Sequence, residues 1–201
     1  MGLVFGRINV ETTKYEVIQS TPDYEIRKYS PSVVAEITYD PSQFGGDKDG
    51  GFTVLANYIG ALGKPQNTKP EKIAMTAPVI TKETEDGGEK IAMTSPVVTK
   101  GGKSVVTMQF VLPSKYTNKV EEVPKPLDER VVIRKEGEKK YGVVTFGGVA
   151  TEKVVAEKVE KLRKSLERDG HKVTGEFLLA RYNPPWTLPP FRTNEVKIPV
   201  E

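Results

Sequence analysis

Cysteine is absent from the 201 residues. That excludes disulfides, zinc–thiolate centres, thiolate-bound iron and a cysteine nucleophile together, and it fits a reducing compartment. Histidine occurs once, at His171. A multi-histidine metal site is therefore excluded, and a Ser-His-Asp triad would have a single candidate base. No apolar run reaches the length of a membrane span, and the opening Met1-Gly2-Leu3-Val4-Phe5-Gly6 has no signal-peptide core. The Met-Gly start fails the myristoylation pattern because position 6 is glycine. A dominant charge is missing as well. The 30 basic and 27 acidic side chains are interleaved, for a net charge of +3, without the basic block that a nucleic-acid binder concentrates on one element. The expectation is a soluble cytoplasmic chain with no nucleic-acid partner, monomeric, and with 37% hydrophobic residues enough to bury a core.

What is present is a repeated order of extended segments, an amphipathic helix and more extended segments. Tyr15–Ile18 and Tyr24–Tyr29 alternate with the period of strands around the turn Thr21-Pro22-Asp23. Val33–Tyr39 is a β-branched strand. Asp47 and Asp49 are candidate N-caps for a helix carrying Phe52, Leu55, Ala56 and Ile59 on one stripe and stopped by Gly63 and Pro65. In the second part, Val131–Lys135 and Tyr141–Phe146 read as a strand pair across a Gly-Glu turn. Thr151 caps a helix with Val154, Val155, Val159, Leu162 and Leu166 on its buried face, with Glu157–Lys161 and Glu160–Lys164 as i,i+4 pairs and Gly170 as the stop. Glu176–Tyr182 and Asn194–Val200 return to strand, and the proline-rich Val123–Leu127 connects the halves. The sequence predicts a single α+β domain over 1–201 with internal halves at about 10–120 and 128–201, each too small to bury both its faces alone.

A second repeat is local. Lys72-Ile73-Ala74-Met75-Thr76-Ala77-Pro78-Val79-Ile80-Thr81-Lys82 recurs as Lys90-Ile91-Ala92-Met93-Thr94-Ser95-Pro96-Val97-Val98-Thr99-Lys100. Proline blocks a ladder hydrogen bond, so each copy needs an edge, bend or bulge. Which copy joins the core sheet is not decided by the residues.

Ile73–Val79, Tyr24-Glu25-Ile26-Arg27 and, above all, Ala180-Arg181-Tyr182-Asn183-Pro184-Pro185-Trp186-Thr187-Leu188-Pro189-Pro190-Phe191-Arg192-Thr193-Asn194-Glu195-Val196 resemble the signature segments of the SOUL/heme-binding-protein family, in a form most similar to its plant cytosolic members. The resemblance implies a distorted β-barrel of two pseudo-twofold-related halves with two flanking helices, akin to GyrI-like domains. It also implies reversible binding of heme or another porphyrin in an apolar groove beside the first helix, as a carrier or buffer, with a tetrapyrrole-pathway protein as a candidate partner. On that reading Phe52, Leu55, Ala56, Ile59, Met75 and Trp186 are candidate groove walls, and Lys64 and Arg192 candidate partners for propionates. The helical stripe can equally be the face buried on the sheet, and Trp186 can anchor the barrel end or form a lip over the ligand.

No strong axial ligand is expected. Heme iron takes His, Met, Cys or Tyr; His171 follows a helix stop on the surface, and Met75, Met93 and Met108 read as core. A few hundred Å² of buried apolar surface, at about 25 cal/mol/Å², suits micromolar capture after association costs. Arg192, Asn194 and Glu195 read as ties of the C-terminal loop to the barrel. The alternatives are an enzyme for a small hydrophobic molecule on the same scaffold, with Glu25, Glu36 or Glu195 as base, and a protein-interaction adaptor.

Overall fold

The structure, a computed structural model, describes residues 8–85, 104–184 and 186–201. The second Ala-Met-Thr copy, with Met93, lies outside the described residues. Among the described residues, eleven strands and two α-helices follow one another as β1 (Glu11–Thr12), β2 (Tyr15–Ser20), β3 (Glu25–Tyr29), β4 (Ser32–Tyr39), α1 (Gly50–Ile59), β5 (Thr76–Ala77), β6 (Val79–Glu85), β7 (Ser104–Val111), β8 (Val131–Glu136), β9 (Lys139–Gly147), α2 (Glu152–Arg168), β10 (Leu178–Arg181) and β11 (Thr193–Pro199). Nine of the strands form one curled antiparallel sheet in the order β2-β3-β9-β11-β10-β6-β7-β4-β8; β1 and β5 pair separately, in parallel.

Apart from β2, the order is a palindrome. β8-β4-β7-β6 on one side mirrors β3-β9-β11-β10 on the other, and β6 meets β10 in the middle. The duplicated order in the sequence thus reappears as a twofold-like arrangement. Alternation places Val33, Ala35, Ile37, Val106, Met108 and Phe110 on the face covered by α1, and Val196 and Ile198 on the face covered by α2. Each helix contributes its apolar stripe: Leu55, Ala56 and Ile59 from α1, and Val155, Leu162 and Leu166 from α2. Burying a side chain of this size is worth about 1.5–3 kcal/mol.

The structure corrects two readings of the sequence. Val131–Lys135 and Tyr141–Phe146 are strands, but they do not pair with each other: β8 lies on β4, and β9 lies between β3 and β11. Tyr29 faces Lys139, and three residues away on each strand Ser32 faces Glu136, so the two ladders keep the same register on either side of Ser30–Pro31 and Gly137–Glu138. Gly137-Glu138 is a bend shared by two strands that keep running, not a reversal. The second correction concerns the end of α1. Gly60, at φ 80°, donates its N–H back to Ala56 and Asn57 and stops the helix three residues before Gly63. Three cues of α2 hold: Thr151 Oγ1 accepts from Val154 N at 3.3 Å, Lys164 bonds Glu160 at 2.6 Å, and Gly170 follows the end of the helix at φ 81°; the expected Glu157–Lys161 pair does not form. Lys161 pairs with Asp23.

Gly51 sets how closely α1 approaches β4. A methyl group there would lie 2.4 Å from the Tyr39 ring and 3.0 Å from Ile37 Cγ2. Gly51→Ala is expected to lower stability by about 1–3 kcal/mol through overpacking, despite alanine's better helix propensity; urea unfolding would measure it.

Candidate functional site

α1 packs on β4 and β7, and α2 packs on β9 and β11. The two central strands, β6 and β10, are left without a helix over them. A cleft of about 380 Å³ occupies this uncovered seam. Phe52 of α1 stands on one side and Val149-Ala150, leading into α2, on the other. Val79 and Arg181, paired across β6 and β10, form the floor; Met75-Thr76-Ala77, leading into β6, and Pro184, Trp186, Arg192 and Asn194, around the end of β10 and the start of β11, complete the lining. Ile8, Asn9 and Val10 pass along the rim, because β1 runs parallel to β5 with Glu11 opposite Thr76.

Local chemistry explains these positions. Asp49 stands at the N-cap of α1, yet its carboxylate caps nothing. It accepts a bidentate guanidinium bond instead, from Arg181 Nη1 at 2.9 Å and Nη2 at 2.5 Å, tying α1 to β10 across the cleft floor. Arg181 Nη2 also reaches Thr81 Oγ1 at 3.2 Å. Next to it, Lys48 Nζ bonds Glu83 at 3.1 Å and Glu152 at 2.7 Å, joining the approach to α1, β6 and the first turn of α2. Phe52 is held edge-on to Phe110 with ring centres 5.4 Å apart. Pro78 interrupts the extended run between β5 and β6 through a cis Ala77–Pro78 bond, in keeping with the bend expected of it.

The C-terminal loop is closed by Tyr182 N–H donating to Thr193 O at 3.1 Å and by Thr193 N–H donating to Asn183 Oδ1 at 2.7 Å. Arg192 Nε donates to Thr187 O at 2.8 Å, and Asn194 Nδ2 to Gly148 O at 2.9 Å. Thr187 is buried while its neighbour Trp186 is 59% exposed. The loop is anchored through Thr187, leaving the indole at the cleft wall.

The cleft brings together Phe52, Met75, Trp186 and Arg192. Leu55, Ala56 and Ile59 do not reach it; they are fully buried in the core between α1 and the sheet. Lys64 is exposed beyond the far end of α1 and lines no part of the cleft. Arg181, Asp49, Val149-Ala150 and the Ile8–Val10 rim were not among the sequence candidates. Arg181 sits inside the C-terminal signature, which was the available signal for it. His171 lies past α2, edge-on to Tyr24 at 6.0 Å and outside the cleft. Of the residues lining the cleft, Met75 and Tyr182 carry atoms able to ligate iron. The Tyr182 hydroxyl is already spent on Glu195 Oε2 at 2.7 Å, and burial, then Glu195, drives its pKa far up.

The three glutamates considered as bases all have partners. Glu25 accepts from Arg27 Nε at 2.7 Å, and Glu36 from Gln109 Nε2 at 2.6 Å and Arg134 Nε at 2.8 Å. Glu195 is buried and surrounded by donors: Arg27 Nη1 at 2.7 Å, Tyr182 OH at 2.7 Å, Lys197 Nζ at 3.3 Å and Thr145 Oγ1 at 3.4 Å. Burial would raise its pKa, but Lys197, Arg27 and Tyr182 outweigh it and hold the carboxyl below the ordinary value. None of the three lines the cleft.

The chain was compared with known proteins. The sequence profile described as SOUL heme-binding protein matches residues 10–87 and again 82–199, so that each match carries one Ala-Met-Thr copy. None of the curated proteins matches the sequence. Among solved structures, the C-terminal domain of EcmrR is similar at 12% identity and TM-score 0.53, covering 93% of this chain and 98% of that one. An uncharacterized conserved protein from Listeria innocua is similar at 10% identity and TM-score 0.54, with coverages of 96% and 93%. A hydrolase from Listeria innocua is similar at 12% identity and TM-score 0.53, with coverages of 92% and 94%. At these identities the structures show a shared fold, a curled antiparallel sheet with two helices, and nothing of function.

Proposed function

Because the chain belongs to the SOUL heme-binding protein family, we propose that it holds heme or another porphyrin reversibly in the cleft over β6 and β10, as a carrier or buffer rather than an enzyme. The observation that carries this reading is the cleft beside the first helix: about 380 Å³, within the ~300–1,000 Å³ of small-molecule sites. Phe52, Met75, Val79 and Trp186 supply apolar contact, and the Arg192 guanidinium supplies positive charge for a propionate, the Arg181 charge being paired with Asp49. The macrocycle lies with one edge in the seam and part of its face toward solvent. Its affinity comes from apolar contact and stacking, with Met75 as the nearest candidate for a weak axial ligand. The carrier works as a cytoplasmic monomer and hands its cargo to a protein of the tetrapyrrole pathway. No helix among the described residues is long and apolar enough to cross a membrane.

The deciding experiment titrates purified protein with hemin and with metal-free protoporphyrin, following tryptophan quenching and the Soret band. The expected result is saturable micromolar binding of both, with affinities within a few-fold of each other. Trp186→Ala should leave stability unchanged and weaken both by about tenfold, the loss of roughly one buried aromatic face. Hemin binding with a sharp Soret shift and no protoporphyrin binding would replace apolar capture with iron ligation. Failure of both to bind would end the porphyrin reading.

A further inference from the structure

The opposite face of the sheet carries a second and larger cavity, about 470 Å³, lined by strands from both ends of the sheet. Its lining is more polar than that of the cleft. Its charges cancel pairwise with few exceptions: Arg134 with Glu36, Lys139 with Glu136, and Lys197 with Glu195, which Arg27 and Glu25 extend into a neutral group of four. Glu176, at the rim, lies 4.0 Å from Arg163. Lys82 is half-buried in this wall and has no hydrogen-bond or ion-pair partner among the described residues. Register places it well. Leu179 faces Thr81 and Leu178 faces Lys197, so Lys82 and Lys197 stand on either side of Leu178, about 10 Å apart at the backbone. Thr13 Oγ1, on the same lining, is buried without a partner, the one such side-chain atom among the described residues. A buried hydroxyl left unpaired is unfavourable in the free protein and is relieved by a ligand that supplies the bond. Tyr29 and Tyr141, stacked edge to face at 5.6 Å, provide an apolar wall.

We propose that this hollow face is a second binding site, for a small monoanion with an apolar body, its carboxylate, sulfonate or phosphate-ester oxygens held by Lys82 beside Lys197. The one positive charge left unshared among the described residues of this lining selects one negative charge. The aromatic wall selects a flat or aliphatic body, and the sheet separates this ligand from anything in the cleft.

The test uses 1-anilinonaphthalene-8-sulfonate as the probe and the uncharged N-phenyl-1-naphthylamine as its control, by fluorescence titration with the full chain. Wild type should bind the sulfonate saturably. Lys82→Met should weaken it at least tenfold and leave the uncharged probe unchanged. Lys82→Arg should bind as wild type does, which separates loss of charge from loss of fold, and Thr13→Val should weaken the sulfonate a few-fold. Unchanged sulfonate binding in Lys82→Met, absence of saturable binding, or displacement of the sulfonate by protoporphyrin would each overturn the proposal. Porphyrin titration of Lys82→Met reports on the cleft alone, so the two sites can fail separately.

Discussion

Glu195→Gln is expected to lower the unfolding free energy by about 3–5 kcal/mol, because it removes one partner from a buried charge pair and strands the others. The side chains of Arg27, Glu195 and Lys197 are 8%, 6% and 3% exposed. Neutralising the carboxylate leaves two buried cations with Glu25, bonded to Arg27, as the one counter-charge left in the group, and Lys197 without its ion-pair partner. Urea unfolding of the single variant and of Glu195→Gln/Lys197→Met would check it, the double variant recovering about 1–3 kcal/mol as a coupled pair. The same group predicts a pH response. Burial, above all, depresses Lys197 from 10.5 to about 8, against the upward pull of Glu195. Between about pH 8 and 10.5 the unfolded chain therefore binds a proton that the folded chain has released, and stability must rise with pH across that window. A shift of this size corresponds to about 3 kcal/mol as an upper bound. Burial of Tyr29 and Tyr182 keeps their phenols protonated in the folded state. Above about pH 10 the folded chain therefore retains protons that the unfolded chain loses, and the rise is cut short. In Lys197→Met the rise between pH 8 and 10 should vanish. A flat profile in wild type would mean that Lys197 is solvated.

The second large effect concerns the cleft. Ala150→Trp should abolish micromolar porphyrin binding, weakening it by about 30-fold or more, through a clash rather than a lost contact. Ala150 is half-buried on the cleft wall immediately before the Thr151 cap, and Phe52 stands on the opposite side. An indole directed from there fills space a macrocycle edge needs. Circular dichroism and thermal unfolding should show a folded protein, since the cap itself is untouched. Met75→Leu is the companion variant. Equal hemin and protoporphyrin affinities would assign Met75 to packing, whereas a selective loss of hemin with a changed Soret band would assign its sulfur to the iron. Retention of wild-type affinity in Ala150→Trp would remove the cleft as the porphyrin site.

Much of the architecture was readable from periodicity. The two helices, the Thr151 cap of α2, the apolar stripes and the repeated order of the halves follow from local rules, whereas the expected Asp49 cap and Gly63 stop of α1 do not survive. The pairing of β8 and β9 was not readable, because Gly-Glu between two strands is compatible with a reversal and with a shared bend, and only the partner strand decides. The α1 stripe posed a similar ambiguity. Leu55, Ala56 and Ile59 have the same spacing whether they meet a sheet or a ligand, and the sheet took them. Phe52, at the edge of that stripe, belongs to both the core and the cleft. Asp49 was legible as a cap but not as a partner of Arg181, which is 132 residues away. The buried ion group had a faint signal in Thr193-Asn194-Glu195-Val196-Lys197, where charges recur at every second position of a strand otherwise destined for the interior. The noncovalent closure of the cleft rim by Ile8–Val10 had none, since it depends on a two-residue parallel pairing.

The two in-register ladders that meet between Tyr29–Lys139 and Ser32–Glu136 amount to a reciprocal trade. The first half lends β3 to β9, and the second lends β8 to β4. Split at the connector, neither fragment would possess its own outer strand, and each would expose the backbone edge that the other normally covers. A lone half-length chain could regain that cover by swapping strands with an identical copy. The single-chain arrangement is thus equivalent to a strand-swapped dimer whose two subunits have been joined end to end, and the central seam is what such a dimer would have had as its symmetry axis.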